Sequence, residues 1–329
     1  MPGVAEGTSV ALTSVEICTG AGGQALGLHK AGFVHRAVVE VDPHACATLR
    51  LNKPEWNVLE MNLLDEWDAC GFAGVDLLAG GVPCPPFSKA GRQLGADDER
   101  DLFPRALELA EVLQPKAVML ENVRGLLDPQ FDAYRQEVND RLRSLGYEPY
   151  WKLLNASDFG VPQLRPRVIL VAIRNGLREF KWPTPNTEPA PSVGEALKDL
   201  MGANGWEGVD AWARRASTVA PTLVGGSKKH GGPDLGPTRA RQAWLALGVN
   251  GKTIAEEAPG PGYAGLPRLT VRMAARLQGF PDWWEFAGRK TAAYRQVGNA
   301  FPPPVAEAVG LQIKKAIRKP AKKSLASVA

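Results

Sequence analysis

Val75 to Ala79 is a short, nearly all-apolar run, and Lys116 to Glu121 encloses a second. Runs of this length read as strands covered on both faces, which is what a parallel sheet requires. Around them, the first half of the chain alternates short apolar runs with helical periodicity. Ser14 to Cys18 reads as a first strand, and a helix follows a glycine turn from Gly23 to Ala31. Ala37 to Val41 reads as a second strand, with a helix from Pro43 to Leu51 whose proline suits a first turn. Val58 to Met61 is a weak strand, while Leu102 to Leu113 and Phe131 to Leu145 carry helical periodicity. Gly146 to Leu154 and Arg167 to Arg174 are strands with little helix between them, so an antiparallel hairpin is expected at the sheet's edge. The pattern predicts an α/β fold: a doubly wound, mostly parallel sheet with helices on both faces. Ligands of such sheets sit beyond the carboxyl ends of the strands.

The 329 residues, 44% of them hydrophobic, suffice for one large domain with a smaller one. Composition changes after about Arg178. From there to Pro267 the chain is rich in Pro, Gly, Trp and basic residues, and strand signals are sparse, as in a separate small irregular domain. Helical periodicity returns at Thr270 to Leu277, with Gly279 placed to stop it, and a last helix runs from Pro304 to Ile317. The expected divisions are a flexible 1–12, an α/β domain at 13–178, the irregular region at 179–267, a return to the first domain at 268–317, and a basic tail at 318–329. No apolar run approaches the ~20 residues of a membrane span. The first residues lack the features of a signal peptide, so a cytoplasmic protein is expected. The four cysteines form no C-x-x-C pair, which favours free thiols and no metal.

The first strand leads into Thr19-Gly20-Ala21-Gly22-Gly23, a glycine turn that opens a helix. Glycines there allow a ligand to approach the backbone closely. Glu40, twenty residues after Gly20, ends the second strand, where an acid binds the two hydroxyls of a ribose. The pattern suits a dinucleotide and S-adenosylmethionine equally, because both carry adenosine. Farther on, a buried strand exits into Gly80-Gly81-Val82-Pro83-Cys84-Pro85-Pro86-Phe87-Ser88, the next ends in Glu121-Asn122-Val123, and the edge hairpin starts with Gln163-Leu164-Arg165-Pro166-Arg167. A thiol, a carboxylate and paired arginines therefore converge on one rim.

These runs, with Arg268 to Pro281 and Gln296-Val297-Gly298-Asn299, resemble in content and order the motifs of the cytosine-C5 DNA methyltransferases, across about Val15 to Gly310. The resemblance implies a methyltransferase fold of the restriction-modification type. It implies methyl transfer from S-adenosylmethionine, released as S-adenosylhomocysteine, to a cytosine in duplex DNA. Cys84 would be the nucleophile and Glu121 the acid at N3, with Arg167 and Arg165 at O2 and the pocket rim. Cys18, Thr19, Gly20, Ala21, Gly22, Gly23, Glu40, Val41, Asn62, Leu63, Gly81, Pro83, Leu102, Asn299 and Ala300 would surround the cofactor. Ser88, Lys89 and Arg92 lie on a stretch like the family's mobile catalytic loop. Departures are Cys18, where an adenine-stacking Phe is usual; Val41, in place of an aromatic; Asn62, in place of an Asp; and Pro85, in place of Gln or Asn. They predict a leaner cofactor pocket.

Residues 179–267 occupy the place of the family's target recognition domain, and Thr222-Leu223 resembles its Thr-Leu pair. Between Arg214 and Arg241 six basic side chains face one acid, Asp234, within a net charge of +4 for the chain. Lys228, Lys229, Arg239 and Arg241, with Thr222, are therefore the expected DNA contacts. Expected partners are double-stranded DNA and a cognate restriction endonuclease; the chain is expected to be a nucleoid-associated monomer. Three alternatives stay open at this level: a tRNA cytosine methyltransferase, an NAD-dependent oxidoreductase, and a DNA-binding relative without activity.

Overall fold

The computed structural model describes residues 11–83, 101–226 and 232–318. Seven strands are present: β1 (Leu12–Ile17), β2 (Phe33–Glu40), β3 (Val58–Glu60), β4 (Leu77–Gly80), β5 (Ala117–Val123), β6 (Tyr147–Asn155) and β7 (Pro166–Arg174). They form one sheet in the order β3-β2-β1-β4-β5-β7-β6. The first five are mutually parallel, and β7 runs antiparallel between β5 and β6, which is the expected edge hairpin. Strand order reverses between β1 and β4, so a crevice opens there beyond the carboxyl ends.

Side chains alternate along each strand, and both sheet faces are covered. On one face Leu78, Val118, Leu120 and Leu170 pack against α3 (Phe103–Leu113) and α4 (Asp132–Ser144). On the other, Leu77, Met119, Ile169 and Val171 share a cluster with α10 (Pro303–Ile317) and Leu28 of α1 (Gly23–Lys30). This two-sided burial explains why β4 and β5 read as continuous apolar runs.

Among the described residues of 179–267 are three helices not expected from the sequence: α5 (Val193–Met201), α6 (Val209–Arg215) and α7 (Thr238–Ala246). Each is nine residues or fewer, and glycine- and proline-rich connections interrupt their periodicity. Their buried anchors, Leu197, Trp212 and Trp244, join one cluster with Leu26 of α1 and Leu49 of α2 (Pro43–Asn52). Also in it are Met273 of α8 (Val271–Leu277) and Tyr294 of α9 (Lys290–Asn299), so this region's apolar side chains pack directly onto the α/β unit. Two of the expected basic contacts are resolved: Arg239 is exposed and Arg241 half-buried on α7. Arg215 instead donates to the carbonyls of Leu245 and Ala246, fixing the end of α7.

One hydrogen-bonded histidine fastens the layer behind the glycine turn. His35 on β2 is buried; its Nε2 donates to Ala25 O at 2.9 Å, and its Nδ1 accepts from Ser14 Oγ at 2.9 Å. A carbonyl only accepts, which fixes the neutral tautomer. Burial pushes its pKa down to about 4. Between an unfolded-state value of about 6.5 and this folded value, the unfolded chain binds the extra proton. Stability from this group is therefore complete above about pH 6.5 and drains away as pH falls toward 4. Buried Glu16 and Glu121 titrate in the opposite sense, so the His35 contribution is read as a difference. Urea unfolding of wild type and His35→Asn at pH 6.5 and pH 5 should show wild type losing roughly 2 kcal/mol more than the variant.

Candidate active site

A cavity of about 340 Å³ lies at the switch point between β1 and β4. It sits at the small end of the roughly 300–1,000 Å³ typical of ligand pockets. Its floor is the turn after β1. Cys18, Gly20 and Gly22 all have positive φ, at 50°, 56° and 84°. Glycine adopts this region freely; a cysteine does so only where its surroundings hold it. Thr19 supplies part of that hold, donating through its amide at 3.1 Å and its hydroxyl at 3.2 Å to Val39 O. Cys18 borders the cavity, and burial, then Glu40 and Glu16, push its thiol up to about 12, so it stays neutral. Cys46 and Cys70 are also free thiols.

Glu40 anchors the next corner. Its carboxylate accepts from the amides of Gly20 at 2.7 Å, Asp42 at 2.8 Å and Val41 at 2.9 Å. Three charge-assisted bonds tie the glycine turn to the exit of β2. Val41, Asn62 and Leu63 line the same side. Asn62 Oδ1 accepts from Leu64 N at 3.2 Å and keeps a second lone pair free to accept. Thr19, Ala21, Gly81, Pro83, Leu102, Asn299 and Ala300 also line the cavity, so thirteen of the fifteen residues expected there are brought together. Gly22 and Gly23 are not at the lining. A Cβ on Gly23 would lie 2.1 Å from Phe301 O, and one on Gly22 2.7 Å from Leu49. Their lack of side chains serves the close packing of α1.

Among the lining residues not expected from sequence, two are buried and polar. Glu16 on β1 is fully buried, and both its oxygens lack a hydrogen-bond partner among the described residues. Burial pushes its carboxyl well above the usual range, with the Ala25 amide a weaker opposing influence. Gln24 on α1 is buried with neither amide atom partnered. Orphaned buried polar atoms are costly, so a pair of them bordering one cavity points to a polar ligand that completes them. An acid flanked by apolar neighbours in a strand, Val15-Glu16-Ile17, was the signal available.

The rim toward β4 and β5 carries the acid–guanidinium pair. Glu121 lies two residues before the end of β5 with its side chain nearly buried, and its Oε1 lies 2.7 Å from Arg167 Nε. Burial raises its pKa, against the lowering pull of Arg167 and Arg165. Asn122 donates to Val82 O at 2.8 Å, so the end of β5 holds the chain one residue before Pro83. Cys84 follows directly but lies, with Ser88, Lys89 and Arg92, outside the described residues, as do Lys228 and Lys229.

Arg165 is placed differently from the sequence expectation. It is fully buried and does not line the cavity. Its two terminal nitrogens donate to Leu223 O and Gly298 O, each at 2.9 Å, so they are held on backbone inside the fold, away from the cavity lining. Burial, then Arg167, lower its pKa while Glu121 opposes them. Thr222 is half-buried beside this brace, and Leu223 is buried, its amide donating to Gln163 Oε1 at 2.8 Å.

The family model for C-5 cytosine-specific DNA methylase matches residues 12–315. The Type II methyltransferase M.NaeI of Lentzea aerocolonigenes is 59% identical over 312 residues, 93% of this chain and 75% of that one. M.NgoMIV of Neisseria gonorrhoeae, also a Type II methyltransferase, is 56% identical over 311 residues, 93% and 98% of the two chains. Among solved structures, a prophage-encoded DNA modification methyltransferase of E. coli shares the fold with TM-score 0.66 at 24% identity, covering 93% of this chain and 99% of that one. A Spodoptera frugiperda DNMT2 variant does so with TM-score 0.62 at 18% identity, covering 93% and 99%. Sheet order and these likenesses define a methyltransferase fold. The chain belongs to the C-5 cytosine-specific DNA methylase family, and it is a DNA (cytosine-5-)-methyltransferase. Membership overturns the oxidoreductase alternative.

Replacing Arg165 with Met should cost on the order of 3 kcal/mol, because two buried carbonyls lose charged donors. Arg165→Lys should not restore it, since one ammonium cannot span Leu223 and Gly298. Urea denaturation checks both; wild-type stability in either variant would contradict the brace.

Proposed function

We propose that this enzyme transfers a methyl group from S-adenosylmethionine to C5 of a cytosine flipped out of duplex DNA, through a covalent bond between Cys84 Sγ and C6. The observation that carries the reading is Glu121, a buried carboxyl with a raised pKa on the strand that holds the approach to Cys84. The cavity fits the cofactor chemically. Glu40 and Asn62 suit its adenosine, and the unpartnered Glu16 and Gln24 suit a charged amino-acid end. When bound, S-adenosylmethionine supplies an electrophilic methyl group and leaves as S-adenosylhomocysteine.

The chain's own groups make cytosine reactive. C5 is a poor nucleophile until a thiolate adds to C6. Cys84, once deprotonated, forms that Sγ–C6 bond, and the electrons displaced from the C5–C6 double bond pass to N3. Protonated Glu121 gives N3 a proton, leaving an enamine whose C5 would be nucleophilic toward a bound methyl donor. Arg167, fixed against Glu121, holds the carboxyl in place and offers its remaining N–H groups to O2. Loss of the C5 proton to water then re-forms the C5–C6 double bond and expels Cys84 as thiolate, and N3 returns its proton to Glu121.

A stacked base cannot reach such a site, so it must leave the duplex at a cost of a few kcal/mol. We assign target recognition to residues 179–267 and DNA contact to Thr222, Lys228, Lys229, Arg239 and Arg241, with Ser88, Lys89 and Arg92 at phosphates beside the flipped base. Exposed Arg239 and half-buried Arg241 and Thr222 support this assignment. The two Type II relatives support a restriction-modification role with a cognate endonuclease as companion. No helix among the described residues is long and apolar enough to cross a membrane, in keeping with an enzyme acting on DNA in the cytoplasm.

Labelled methyl transfer to duplex DNA and to tRNA, run in parallel, tests the substrate; label is expected on DNA alone. Duplex DNA carrying 5-fluorocytosine should trap a covalent complex with wild type and none with Cys84→Ser. A complex in that variant, or turnover by it, would overturn the role of Cys84.

A further inference from the structure

The segment Leu223 to Gly226 and the cavity wall at Gly298 to Ala300 are packed as one unit. Gly225 lies backbone against backbone on Gly298. A Cβ on Gly298 would fall 2.4 Å from Gly225 N, and a Cβ on Gly225 would fall 2.4 Å from Arg295 O. Asn299 spans the joint. Its residue lines the cavity, and its Nδ2 donates to Gly226 O at 3.1 Å. Arg165 fastens the same two pieces from inside the fold, through Leu223 O and Gly298 O. Val224, between these fastenings, is exposed. The Asn299 side chain packs against Gly225 as well, and close packing of this kind transmits a displacement instead of absorbing it.

We propose that Asn299 and Arg165 are positioning residues that tie the target-reading segment to the cofactor cavity, so that a ligand filling the cavity orders Leu223 to Gly226. This rests on the reading of the cavity as the S-adenosylmethionine site. A ligand seated against Asn299 and Ala300 restrains the wall, and the joint passes that restraint to the segment. The conformational entropy is then lost once, for both ligands. Coupling of this kind is reciprocal: DNA held by the segment tightens the nucleoside by the same factor that the nucleoside tightens DNA.

Amide hydrogen exchange on the full chain, with and without saturating S-adenosylhomocysteine, tests the tie, with binding checked by calorimetry on the same sample. In wild type, exchange at Leu223 to Gly226 should slow by about fivefold or more. In Gly225→Ala, whose new methyl group must part the segment from Arg295 O and the Asn299 side chain, exchange there should not slow at an S-adenosylhomocysteine concentration that calorimetry shows to saturate the variant. Asn299→Ala, which deletes the Gly226 bond and adds no bulk, should reduce the slowing in the same way when compared at a nucleoside concentration that calorimetry shows to saturate that variant. Binding to wild type with unchanged exchange at Leu223 to Gly226 overturns the tie and leaves the cavity's assignment standing. Equal slowing in both variants also overturns it. Failure of S-adenosylhomocysteine to bind wild type overturns the assignment and the tie together.

Discussion

The contact between Arg167 Nε and Glu121 Oε1 is the interaction on which the site depends. It exists because β7 turns back antiparallel beside β5. In that register Arg167 stands opposite Val123, and Glu121 is the next residue on the same face of β5. Diagonal neighbours across an antiparallel pair are within reach of long side chains. A parallel β7 would have carried its first residues to the far edge of the sheet. The hairpin is therefore the device that brings an arginine from the start of one strand to a carboxylate at the end of another. Burial makes the contact chemically useful, because it raises the carboxyl's pKa against the pull of the guanidinium.

Around that pair the strand ends are stitched by hydrogen bonds that leave little freedom. Asn122 grips Val82, Glu40 grips the glycine turn, and Arg165 grips two segments far apart in sequence. The two arginines of the Gln-x-Arg-x-Arg run thus divide their labour. One is partly open beside the acid; the other is sealed in the interior as a structural brace. Proximity and orientation are supplied before any substrate arrives, which is where a positioned acid gains most of its advantage.

Much of this was legible in the chain. β4 and β5 announced themselves because burial on both faces leaves no polar alternation, and the closing hairpin because two strands adjoin without a helix between them. The glycine turn and Glu40 were readable from spacing. Helix α9 was missed although Ala293, Tyr294 and Val297 carry a buried stripe, since polar residues and Gly298 dilute it. The short helices α6 and α7 depend on Trp212 and Trp244 buried against other elements, a tertiary effect that a local window does not contain, whereas α5 was missed although Ser192 and Glu195 form a capping box at its start. The burial of Arg165 was equally hidden: nothing in alternating arginines says which one meets solvent. Glu16 could have been found, because an acid between Val15 and Ile17 has no place in a buried strand without a task.

The central claim is that Glu121 acts with its proton on. Single-turnover methyl transfer to DNA, followed against pH in wild type and Glu121→Gln, tests it most directly. A raised pKa means that the active, protonated form is lost as pH rises, so the wild-type profile should fall on its alkaline side. Glutamine does not titrate, so the variant should be slower and should lack that falling limb. The same alkaline fall in Glu121→Gln would contradict the account.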